Sequence, residues 1–352
     1  MKFVNAKYEI WEPAECTANN ILKAIERAAK VCYKSENNIK DDSALPFVKS
    51  LIKRGHTSCL EHGSIYIRIN LEKVYINKSY INNFVNTCFS YIDLQNDMYD
   101  DPRIHISLIS DEMYIYTNAR FIYEKCPKMF WDIILDRELP DGISLFTPAE
   151  NDPYRRQTVF FTADQRITEE FIRHRVASPN KESTRYCCYS SDKHDNQLTY
   201  IIPLKFKNII HENDDVIPFT ENNSALVWKI GNNYYRDNDE LSHLLNYYKW
   251  AELTYIGLTT EYGWRAEEAR ITLPLGTKAD LVLTNSLIDW CYGRNENVDS
   301  YDADIDNGEV NGKRIKGFFG LRTDGAAHPQ ARELAIPLMN DFENRNWIIN
   351  NA

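Results

Sequence analysis

Two stretches carry different hydrophobic periods, and a chain containing both must build helices and strands side by side. In NILKAIERAAKVCYKS, residues 20 to 35, the residues Ile21, Leu22, Ile25, Ala28, Ala29 and Cys32 recur at spacings of three and four, which predicts one helical stripe. Lys23, Glu26, Arg27 and Lys30 fall on its polar face. In SIYIRIN, residues 64 to 70, apolar and polar side chains alternate as a half-buried strand requires, and TVFFT at 158 to 162 predicts a second strand suited to pair with it. Pro46 and Gly55 bracket a short helix, PFVKSLIKR. Further helices are predicted from Asp164 to Arg175, over 241 to 262, and over PQARELAIPLMNDF near the end. The expected fold class is α+β, with helices packed around a mixed or antiparallel sheet in one domain over residues 1–352. Two surface insertions are expected. One, at about 73–157, is aromatic- and asparagine-rich and broken by Pro102, Pro127, Pro140 and Pro148; the other, at 295–316, is polar, acidic and glycine-bearing.

With 43% apolar residues among 352, a substantial core can form. The balance of 41 basic against 51 acidic residues gives a formal net charge of −10, which argues against general adhesion to nucleic acid or an anionic membrane. No run of about 18 apolar residues occurs, and the first residues lack an apolar stretch with a cleavage site, so a soluble, cytoplasmic protein is expected. The cysteines at 16, 32, 59, 88, 126, 187, 188 and 291 form no CxxC pair; reduced thiols are expected, and no metal site. Neither GxGxxG between strand and helix nor GxxxxGK[ST] occurs.

Against this acidic background, RHRVASPNKESTRY concentrates charge at residues 173 to 186. Arg173, His174 and Arg175 on a helix would point about 100° apart, which suits a place where two ligands meet. Ser178, Asn180, Ser183, Thr184 and Arg185 form a donor set able to satisfy phosphate oxygens, although a solvated basic helix end is the competing reading. GHTSCLEH places His56 and His62 six apart, more consistent with a capped turn than with a metal pair. Arg270 and Arg322 each sit among apolar neighbours and need an anionic partner, either a structural carboxylate or a ligand. Cys187 and Cys188 follow the arginine loop, as packing residues or as activated thiols.

The stretch from Arg173 to Tyr186 fits, at all eight fixed positions, the signature RHRxxSxNxxSxRY of the flavin-dependent thymidylate synthases. GHTSCLEH resembles that family's GHxxxxEH element, AAKVCY its first-helix segment, ARITLPL its arginine before LP, and FFGLRTDGAAHPQARELA its late arginine-then-histidine pattern. The resemblance implies the fold of that family carrying the two insertions. It also implies conversion of dUMP to dTMP, with methylenetetrahydrofolate as carbon donor and FAD reduced by NADPH, in a homotetramer. Ser58, Arg173, His174, Arg175 and His328 would contact FAD, with Cys32 close by; Lys181 and Asn285 complete the expected cofactor set. Ser183, Thr184, Arg185 and Arg270 would hold dUMP, the last from a neighbouring subunit, with Glu170 and Glu182 beside them. Arg322 would engage the uracil edge and His56 would lie near flavin and folate, and these two carry the expected catalytic roles. A flavin- and folate-dependent dUMP hydroxymethylase would share the same motif and differ in the final reduction, and Lys181 and Glu170, which depart from the residues common among relatives, leave open a non-catalytic nucleotide-binding paralogue.

Overall fold

A computed structural model describes residues 1–76, 81–94, 101, 103–191, 195–212, 214, 216–221, 225–235, 239–291, 303–304, 309–310, 313–314 and 317–347. The chain opens with two short strands, β1 (Lys2–Val4) and β2 (Lys7–Ile10), and then α1 (Ala18–Cys32). Thr17 caps α1 by accepting the Asn20 N–H. The expected stripe is buried apart from the half-buried Cys32, but so are Glu26 and Lys30 of the polar face, which form an ion pair of 2.7 Å across one turn. Burial of two charges is tolerated there because each neutralises the other. The helix α2 (Ala44–Lys53) and a 3-10 helix, Thr57–His62, follow. Gly63 closes that turn against α1: a Cβ at this position would stand 2.7 Å from Ile25 Cδ1.

The next segment is built around β3 (Ser64–Asn70). It comprises α3 (Leu71–Ile76), α4 (Ile81–Leu94), β4 (His105–Ile109), β5 (Glu112–Asn118), α5 (Ala119–Lys125), α6 (Pro127–Ile134) and β6 (Ile143–Leu145). The strands lie in the order β4-β5-β3-β6, all antiparallel, and their apolar side chains share one core with α1 and α2. The strand at 64–70 therefore does not pair with 158–162: β5, supplied by the intervening residues, takes that edge instead.

A second sheet, β2-β7-β13-β8, carries the signature region. β7 (Arg156–Asp164) leads into α7 (Gln165–Phe171), then β8 (Ser178–Lys181). The helix is shorter than the expected 164–175, because Asp164 is its N-cap and the chain turns after Phe171. β9 (Thr199–Ile201) pairs in parallel with β1, and β10 (Val216–Glu221), β11 (Ala225–Ile230) and β12 (Asn233–Tyr235) form an antiparallel meander. α8 (Glu240–Thr260), α9 (Ala266–Ala269) and a 3-10 turn, Arg270–Thr272, lead to β13 (Lys278–Ser286) and α10 (Leu287–Cys291). The expected insertion at 295–316 lies largely outside the described residues; within it β14 (Ala303–Asp304), β15 (Glu309–Val310) and β16 (Lys313–Arg314) pair antiparallel. α11 (Phe318–Arg322) and α12 (Pro329–Asn344) cover the second sheet and share its core, where Phe161, Phe171, Trp290 and Phe318 meet. The architecture is a mixed α+β one, with its strands divided among several mostly antiparallel sheets rather than gathered into one. Among the described residues no helix is long and apolar enough to cross a membrane.

Candidate active site

The signature begins where α7 ends and runs along β8 at the edge of the second sheet, where Ser178 faces Thr284 and Lys181 faces Leu281. A loop was expected at 178–181; the exposed edge of β13 makes it a strand despite Pro179. Two fixed residues of the signature point inward. Ser178 accepts a hydrogen bond from Arg156 Nη2 at 2.8 Å, and Asn180 donates to the Ala28 carbonyl at 2.7 Å while its Oδ1 accepts from Cys32 Sγ at 2.7 Å. These two anchor β8 to β7 and α1.

The remaining polar residues of the signature divide between solvent and internal partners. Arg173 and Arg175 are exposed, and among the described residues neither forms an ion pair. His174 lies half-buried between them, and burial together with the positive charge of Arg322 pushes its pKa down to about 4, so the imidazole is neutral. Its Nε2 accepts a hydrogen bond from Arg322 Nε at 3.0 Å, which places the proton on Nδ1. Arg322 also lies 3.2 Å from Glu170 Oε2, so two residues of the signature region and one of the late arginine segment form one hydrogen-bonded group. Lys181 pairs with Glu169 at 2.5 Å. Glu182 turns inward, where Lys278 donates to it at 3.0 Å and the Tyr189 hydroxyl at 3.1 Å. Ser183 and Thr184 are half-buried, Arg185 is exposed and meets Glu267 of α9 at 3.0 Å, and Arg270 is exposed just beyond α9.

On the other side of the loop, His56 Nδ1 lies 2.7 Å from the Tyr33 hydroxyl, and the rings stack 6.4 Å apart. Tyr33 also lies 5.5 Å from the ring of Tyr186, the last signature residue, and Ser58 is exposed nearby on the same 3-10 helix. His62 is buried, its Nδ1 2.8 Å from Thr284 Oγ1, and burial with the nearby Arg156 charge drives its pKa down to about 3. Two expected cofactor residues sit in structural settings: Asn285 is buried on β13, with its Oδ1 accepting the Ser286 N–H, and His328 caps α12 through Nδ1. Burial raises Cys187 to about 12 and Cys32 well above the ordinary thiol range, so neither is an activated nucleophile. Among the described residues no group of His, Cys, Asp and Glu could hold a metal ion. Lys34, Lys278 and Asp280, which sequence reasoning did not single out, contact Glu182 or one another behind the loop. For Lys278 and Asp280 the signal was present, since KADLVLTNS sets two charges around Ala279 directly before the apolar run Leu281–Leu283.

This geometry defines a class: an α+β protein presenting guanidiniums, of which Arg173 and Arg175 have no ion-pair partner among the described residues, and hydroxyls around one strand edge, suited to anionic ligands. Residues 157–293 match the model of the family described as thymidylate synthase complementing protein, the flavin-dependent thymidylate synthases, and the resemblance read from the signature is shown over that span. No curated protein matches the chain. Solved structures similar to it include the UMP/dUMP methylase PolB from Streptomyces cacaoi bound with 5-Br dUMP, at 14% identity and a TM-score of 0.32, covering 98% of this chain and 93% of that one. The same protein bound with 5-Br UMP gives 12% identity, a TM-score of 0.34, and coverage of 98% and 92%. Similarity at that level carries no argument about this chain.

Proposed function

We propose that this chain modifies dUMP as a thymidylate synthase, transferring a one-carbon unit from methylenetetrahydrofolate to C5 of the uracil, with reducing equivalents from NADPH passing through FAD. The observation that carries the reading is the complete signature, residues 173 to 186, lying inside the span of the family match. The donor set fits a pyrophosphate-bearing cofactor: two exposed arginines without carboxylate partners among the described residues flank a neutral imidazole. Arg173, His174 and Arg175, with Ser58, would hold FAD, which when bound supplies the hydride chemistry; His328, whose Nδ1 caps α12, would contribute only through Nε2.

The chain's own residues then bind and orient. Ser183, Thr184, Arg185 and Arg270 hold the nucleotide phosphate, and Arg322 stabilises negative charge on the uracil N3 and carbonyl edge, making C5 a better nucleophile. A cysteine attacking C6 is not needed, in keeping with thiols that burial keeps protonated. Exposed Tyr262, Ile271 and Leu275, at 73%, 82% and 67% of their surface, surround Arg270 in the chain and support assembly into the tetramer through this face.

Incubation with 5-tritiated dUMP, methylenetetrahydrofolate, NADPH and FAD should release tritium only when all are present. A protein that stays colourless after FAD reconstitution would sink the reading, and the mass of the product nucleotide separates dTMP from its hydroxymethyl counterpart.

A further inference from the structure

Behind the signature loop, four charged side chains from three segments, Lys34 after α1, Glu182 after β8, and Lys278 and Asp280 on β13, meet largely out of solvent. Glu182 and Asp280 are each 3% exposed. Lys278 donates to Glu182 at 3.0 Å and to Asp280 at 2.5 Å, while Lys34 bonds Asp280 and stands 3.6 Å from Glu182. The Thr162 hydroxyl donates to Asp280 at 2.8 Å, and the Asp280 backbone N–H donates to Glu182 at 3.2 Å. Two cations balance two anions, so removal of either lysine leaves a buried negative charge without a counterion.

Lys34 is the member that ties a distant element to the loop. It follows the C-terminus of α1 with φ of 47°, a left-handed conformation that a lysine enters only when its surroundings impose it. Its neighbours grip the same loop: the Cys32 carbonyl accepts the Ser183 N–H at 3.1 Å, and Tyr33 packs beside Tyr186. With the carboxylate of Glu182 drawn inward, an acid that would otherwise repel a phosphate is taken away from the ligand side.

We propose that Lys34 is a positioning residue for the nucleotide loop: by holding Glu182 inward it turns Ser183, Thr184 and Arg185 toward the substrate. The identity of that substrate rests on the function proposed above; the positioning itself does not.

The test compares Lys34→Met, which keeps the apolar stem, with the double variant Lys34→Met/Asp280→Asn, which restores charge balance. Calorimetry on the FAD-loaded protein should show dUMP binding weakened about tenfold in K34M, equivalent to ~1.4 kcal/mol, with the flavin spectrum unchanged. Amide exchange at Ser183, Tyr186 and Cys187, whose N–H groups close the loop onto Cys32 and Ser183, should accelerate by about tenfold while β13 stays protected. The double variant should regain most of both. A folded K34M with unchanged affinity and exchange overturns the proposal, as does a folded double variant that stays as loose as the single one. If the unsubstituted protein binds no dUMP, the proposed function fails, and the exchange comparison still decides the role of Lys34.

Discussion

Arg322 holds Glu170 twice, through Nη1 to the carboxylate at 3.2 Å and through Nη2 to the backbone carbonyl at 2.5 Å. The guanidinium expected to meet the uracil edge is therefore already neutralised by an acid of the signature helix. A ligand approaching Arg322 competes with Glu170 for Nη1. Glu170→Gln should tighten dUMP binding by about fivefold, the worth of a partly exposed ion pair of ~1 kcal/mol. Calorimetric titration checks this, and weaker binding would mean that the acid orients Arg322 rather than competing with the ligand.

Stability should fall with acid earlier than carboxylate titration alone would cause. His174 and His62 have folded pKa values of about 4 and about 3 against an ordinary 6.5, both lowered first by burial and then by an arginine. The unfolded chain binds protons near pH 6.5 that the folded chain refuses, so this contribution is complete above that value and is lost progressively below it. Full titration corresponds to roughly 3 kcal/mol at His174 and roughly 5 kcal/mol at His62, of which the part above about pH 5 is separable from most acids. Urea midpoints measured across that window should decline, and His62→Gln should flatten the slope.

Elements whose cause is local were legible in the sequence. The stripe of α1 follows from spacing and the long α8 from a run rich in Leu and Tyr, and both stand close to the expected bounds. What failed was long-range: nothing in SIYIRIN says that its partner would be EMYIYTN at 112–118 rather than TVFFT, because either strand offers it a backbone edge and apolar side chains. SPNK carries no strand pattern and becomes one by pairing with β13. In the site, the motifs named the groups that meet at Arg322, but not which of them turn inward. Glu182 and Asn180 are polar residues in a polar stretch, and only burial against Lys278 and Ala28 makes them structural.

Arg185 and Arg270 offer the cleanest separation of binding from stability. Both are exposed, Arg185 meeting Glu267 at its rim and lying 5.4 Å from the centre of the exposed Tyr186 ring, so truncation leaves no buried charge behind. Arg185→Ala and Arg270→Ala should each weaken dUMP binding by about 1.5 to 3 kcal/mol, the range for a hydrogen bond to a charged group. Melting temperatures should barely move. If affinity holds while both variants remain folded, the phosphate is bound elsewhere.

Glu26 and Lys30 present the opposite case. They sit on the α1 face read from sequence as solvated, yet their side chains are 1% and 6% exposed, and Glu26 also accepts from the Ser43 hydroxyl at 2.7 Å. Removing one partner strands a charge, so Glu26→Ala should cost about 3 to 5 kcal/mol in urea denaturation. Replacing both by apolar residues of similar size, Glu26→Leu with Lys30→Met, removes two desolvation penalties along with the attraction, and should restore most of that loss or exceed it. A double variant no better than the single one would mean that the Ser43 and Asn38 hydrogen bonds, rather than the ion pair, hold α1 to the turn before α2.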